Sequence, residues 1–147
     1  IGEGSNKKNL QLIIKKKKLD KVVIFKPFMK QEILEKYILN SDGFLVSLGK
    51  GSALSATIPA KFQTYVAYGK PIFVFSKNIV AEIIKKYNIG FVLDHKNPKK
   101  AIYQFLKMNI NKYNQTRSNC EYLYKNFFEI QKNISDLEKI LITNKIK

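Results

Sequence analysis

The chain has 147 residues, 45% of them hydrophobic, with 27 lysines and arginines against 11 acidic residues and a formal net charge of +16. That length makes one ordinary domain, spanning 1–147, able to bury about 68–70% of the surface its unfolded form exposes, and the hydrophobic share argues against disorder. A single Cys120 excludes an internal disulfide and, with no Cys/His cluster, a zinc site; no apolar run approaches the ~20 residues of a membrane span, no signal-peptide pattern is visible, and the whole fits a reducing cytoplasm.

In chain order, Ile1-Gly2-Glu3-Gly4 reads as a tight turn after the end of a strand, since the third glycine of a dinucleotide fingerprint is missing. Leu10, Leu12, Ile13 and Ile14 predict a short helix from Asn9 to Lys16, which Lys15 to Lys18 continue or end. Val22-Val23-Ile24-Phe25 is a β-branched run suited to a strand buried on both faces. Lys26-Pro27-Phe28-Met29 then falls in a loop at that strand's C-terminal end, where ligands collect in open α/β sheets. Ile33, Leu34, Tyr37 and Ile38 give an apolar face to a helix from Lys30 to Leu39, broken by Asn40-Ser41-Asp42-Gly43, and Phe44-Leu45-Val46 is the next buried strand.

A loop of small residues follows, with Ser47, Gly49, Gly51, Ser52 and Ser55, beside a helix opened by Pro59, capped by Thr57 and closed at Gly69. Backbone amides in such a loop can approach an anion closely, and a helix N-terminus favours negative charge, so this is a place to hold phosphate, with Lys50 and Lys61 beside it. A flexible connection and a solvated helix lysine are the plainer readings of the same residues. Ile72 to Phe75 is a strand. Asn78 caps a helix carrying Ile79, Val80, Ile83, Ile84 and Tyr87, Gly90 follows its end, and Phe91-Val92-Leu93 is the last strand. Asn97-Pro98 opens a helix to Met108; helices from Tyr113 to Phe128 and Ile134 to Ile142 complete the chain. Alternating strands and helices predict an α/β, Rossmann-like three-layer domain, a parallel sheet flanked by helices, with extra helices at the C-terminal end.

The charge has three readings: a solvated lysine face, attraction to an anionic membrane surface, and nucleic-acid binding. Arg117 is the only arginine, so the bidentate fork used to read bases is almost absent and nucleic acid ranks last. His95, in a loop without partner residues of a catalytic triad, reads as a solvated side chain.

The run from Ile58 to Ile72, with Pro59, Lys61, Tyr65, Ala67, Gly69, Lys70 and Pro71, resembles the P-x-K-hydrophobic-x-E-Y-M-A-x-G-K-P segment of the C-terminal domain of GT-B glycosyltransferases. The nearest group is the family-four-like retaining enzymes (glycosyl transferases group 1) that build bacterial surface polysaccharides. The Ile1–Gly4, Val22–Phe25, Ser41–Ser47, Glu82–Ile84 and Asn88–Gly90 segments fall in the family's order.

The resemblance implies half of a GT-B fold: a domain that binds a nucleotide diphosphate sugar and works with an N-terminal acceptor domain. The implied reaction moves the sugar to a glycan or lipid-linked acceptor with retention; composition and charge add the expectation of a cytoplasmic protein or one held peripherally on the inner face of an anionic membrane. It implies a diphosphate site at Gly49, Gly51, Ser52 and Lys61, ribose or donor-sugar contacts at Thr64 and Gln63, a base pocket at Lys26, Pro27 and Phe28, and neither cofactor nor metal. Thr64 and Ala56 stand where the family has glutamates, and the basic residues that usually follow the first strand would precede Ile1, so the chain alone is expected not to turn over. In the family the final helices cross the cleft, which would leave Tyr122, Tyr124, Phe127 and Phe128 partly exposed. A GT-B nucleotide-sugar epimerase is disfavoured by the near absence of histidine. The alternative of another class is a non-catalytic basic module that meets membrane or nucleic acid.

Overall fold

The computed structural model describes residues 1–47, 57–75 and 78–145. The chain gathers into two compact units, Ile1–Asn40 and Ser41–Lys147.

In the first unit, α1 spans Lys7–Lys16 and α2 spans Gln31–Leu39. Lys18 ends α1 in the left-handed region at φ 55°; Leu19 N–H reaches back to the Ile14 carbonyl at 3.0 Å and Lys18 N–H to that of Lys15 at 3.0 Å, a paired closure of the last turn. The strand expected at Val22–Phe25 does not form. Val22 and Val23 both donate their amides to the Leu19 carbonyl, at 3.0 and 2.8 Å, so the first half of the run is spent in a turn. Its β-branched side chains favour extended backbone, but a strand needs a ladder partner, and among the described residues none pairs with it. Ile33 and Tyr37 of α2 are likewise exposed and no residue of either helix is buried, because a unit of this size, without a sheet, has little surface behind which to hide an apolar face.

The second unit is a parallel α/β sheet flanked by helices. Strands β1 (Phe44–Ser47), β2 (Ile72–Phe75) and β3 (Gly90–Val92) lie side by side in sequence order, with Phe44 opposite Ile72 and Ile72 opposite Gly90. The helices are α3 (Ala60–Ala67), α4 (Ile79–Tyr87), α5 (Pro98–Leu106), α6 (Ile110–Leu123) and α7 (Ile130–Lys145). Between α6 and α7, Tyr124–Phe128 form a wider π-helical turn, closed by Glu129 N–H on the Tyr124 carbonyl at 3.0 Å. Pro71 and Gly69 stop α3 as expected, Gly69 taking φ +66°. The opening of α3 differs: Pro59 is the cap residue rather than the first helical one, which leaves Thr57 two residues outside the helix.

The alternation of side chains sorts the sheet into two faces. Phe44, Val46, Ile72 and Val74 are buried on one. Phe44 stacks on Tyr65 of α3 at 4.3 Å, and α6 packs against both α3 and α4 on this side. Phe73 and Phe91 point to the other face, stacked on each other at 5.3 Å, with Phe105 of α5 edge-on to both. Phe62 and Val66 of α3 are fully buried, as are Val80 and Ile84 of α4. Asn78 caps α4 by accepting the Ala81 amide at 3.1 Å. The helix ends at Asn88, left-handed at φ 52°, and Gly90 belongs to the strand instead.

Cys120 of α6 is fully buried, and that burial, with a smaller push from Glu121, raises its thiol from 9.0 to about 12. A thiol held above its unfolded value stabilises the fold below about pH 9, and that contribution is lost as pH rises through about 12. Native protein at pH 8 is therefore expected to resist iodoacetamide, with alkylation tracking unfolding in a urea series; rapid alkylation of the folded chain would contradict the burial.

Candidate functional site

Helix α3 owes its direction to Tyr65. That ring, in the last turn, rests on Phe44, the first residue of β1, so α3 runs back along the sheet and aims its first turn at the strands' C-terminal edge. There the early backbone amides of the helix lack carbonyl partners within it and carry the positive end of its dipole. Pro59, the cap residue, has no side-chain group to offer them.

Lys61 lies in that first turn and is exposed, and Thr64 follows three residues later, exposed on the same side. The Thr64 hydroxyl donates to the Ala60 carbonyl at 3.1 Å, which leaves the oxygen free to act as an acceptor. Gln63 is half-buried at the flank of this pair, and Phe62 and Val66 anchor the opposite face. The structure thus brings Lys61 and Thr64 together on one accessible surface. Gly49, Gly51 and Ser52, with Lys50, Ser55 and Ala56, lie outside the described residues. At the same strand edge, Glu82 is exposed in the first turn of α4, and His95 is exposed with its ring tilted against Phe75 at 5.3 Å.

The three residues expected to wall a base belong to the first unit. Lys26 holds its ammonium 5.8 Å from the centre of the Tyr37 ring, Pro27 is exposed, and Phe28 is 78% exposed. Their loop is tied to the Gly2-Glu3-Gly4 turn, where Gly2 N–H donates to the Lys26 carbonyl at 3.1 Å. Lys7, 2.8 Å from Glu3, holds that carboxyl below the usual carboxylate range, and the Phe28 amide adds to the effect. Sequence reasoning missed the bond between Gly2 and Lys26. The two are far apart along the chain, and no local pattern announces a bond of this kind.

Among the described residues no three histidine, cysteine, aspartate or glutamate side chains gather as metal ligands, and no helix is long and apolar enough to cross a membrane. In comparison with known proteins, the family described as "Glycosyl transferases group 1" matches residues 1–127. A search of curated proteins found no match.

Proposed function

Because the chain belongs to the glycosyl transferases group 1 family, whose chemistry is glycosyl transfer, we propose that it is the donor-binding domain of a GT-B enzyme. The donor is a nucleotide diphosphate sugar, and the acceptor a glycan or lipid-linked glycan of bacterial surface polysaccharide, glycosylated with retention on the cytoplasmic side.

The observation that carries this reading is the exposed Lys61–Thr64 surface at the N-terminal end of α3. As the glycosidic bond breaks, negative charge grows on the departing diphosphate. The Lys61 cation and the first-turn amides of α3 meet that charge, and Gly49, Gly51 and Ser52 are the small residues that the family resemblance assigns to the same diphosphate. Thr64 offers a ribose or sugar hydroxyl one neutral acceptor where the family has a carboxylate, with Gln63 at its flank, so donor binding is weaker than a glutamate would give. In this reading the acceptor is held by an N-terminal domain, and the chain alone binds donor without turnover.

Calorimetric titration of the chain with UDP, GDP and ADP at moderate salt tests the proposal. One nucleotide should bind saturably, and Lys61→Ala should weaken it roughly 10- to 100-fold, the worth of a hydrogen bond to a charged group. Steep salt dependence with no nucleotide preference would point instead to a basic binding module.

A further inference from the structure

The first unit presents a surface for which donor binding has no use. From Lys7 to Ile24 the chain carries seven lysines and one acidic residue, Asp20. Of these lysines only Lys7 forms an ion pair among the described residues. The closed last turn of α1 gathers four of them, Lys15 to Lys18, at one end of the helix.

The same stretch exposes bulky aliphatic side chains. Leu10 and Ile13 lie on one side of α1 with Ile14, at the spacing of a helix face, and both are exposed. Leu12, Val22 and Ile24 are 68%, 77% and 69% exposed. A solvated lysine run does not need them, and apolar side chains left in water among cations are poorly placed unless something apolar and anionic covers them.

We propose that this surface, α1 and the turn after it, docks on an anionic lipid bilayer. Lysines meet the negative headgroups while Leu12, Val22 and Ile24 enter the boundary between headgroups and acyl chains. The chemistry favours lipid over nucleic acid. Strand binders stack bases on aromatic rings and arginine planes, whereas this stretch has no arginine and its exposed apolar groups are mainly aliphatic. The proposal stands independently of donor binding.

Flotation of the chain with vesicles decides it. Vesicles of phosphatidylcholine with a third phosphatidylglycerol should carry the protein at low salt, and pure phosphatidylcholine should not. Each lysine near the surface is worth about a fivefold change in partitioning, so Lys15–Lys18 all changed to Gln should reduce binding more than about 100-fold. Leu12→Ser with Val22→Ser, both at exposed positions and checked for helix content by circular dichroism, should weaken binding further at 0.5 M salt, roughly where screening has removed most of the electrostatic attraction. Equal binding to both vesicles, or none to either, overturns the proposal. So does tighter binding to a single-stranded oligonucleotide that Leu12→Ser and Val22→Ser leave unchanged.

Discussion

Replacing Gly90 by alanine is expected to destabilise the chain by more than about 3 kcal/mol, beyond the usual ~1–3 kcal/mol of an overpacked core. Gly90 opens β3 directly opposite Ile72. A Cβ there would stand 1.9 Å from the Ile72 carbonyl oxygen and 2.6 Å from its nitrogen. Both are backbone atoms of the central strand, so no side chain can swing aside, and relief requires β3 to move away from β2. That movement strains the Ile72 amide bond to the Ile89 carbonyl, 3.1 Å long, and the Leu93 amide bond to the Val74 carbonyl, 2.8 Å long. Urea unfolding followed by far-UV circular dichroism measures the loss. Gly4→Ala is the control: its added Cβ meets nothing within 4 Å, and it should change stability by less than about 0.5 kcal/mol. A Gly90→Ala protein as stable as the control would show that β2 and β3 do not approach this closely.

The second large effect belongs to Phe62. It is fully buried under α3 and meets Phe128 of the π-helical turn edge-on at 6.2 Å. Phe62→Ala should cost about 3–5 kcal/mol, the sum of lost apolar burial and the cavity left behind, while Phe62→Leu should cost less than about 1.5 kcal/mol. Because Phe62 lies between Lys61 and Gln63, the pair of variants also separates scaffold from site. Phe62→Leu should retain nucleotide affinity, since it alters no group on the exposed surface of α3. A Phe62→Leu protein that stays folded but loses affinity would show that the ring itself positions the site.

How much of this was legible in the sequence depends on the range of each signal. The strands at Phe44 and Ile72, the Asn78 cap and the left-handed Gly69 follow from residues within a few positions of one another, and the structure has them where the pattern puts them. Val22–Phe25 carried an equally good local pattern, but a strand is a pairing, and no described strand lies beside it. Gly90 read as a residue following a helix because sequence shows flexibility more readily than a neighbour's carbonyl at 1.9 Å. Of the candidate site, Lys61 was legible from its place beside a helix N-terminus and Thr64 through the family resemblance, while their sharing of one exposed side is a finding of the structure. The Gly2–Lys26 bond was not legible, because it joins residues distant in the chain. The Gly49, Gly51 and Ser52 expectation lies outside the described residues.

Strand order also bears on how the second unit is assembled. Since β1, β2 and β3 stand in the sheet as they stand in the chain, each strand pairs with the one made just before it, and the entropy of closing each connection stays modest. Parallel pairing is slow because its contacts are distant in the chain, and this order keeps those distances short while a ribosome releases the strands in the order in which they can be used. Once β2 has emerged, β1 can pair with it, and the β1–β2 pair then presents the edge to which β3 adds. The sheet can grow by accretion as the chain emerges, with the helices from α6 onward closing over a sheet already in place.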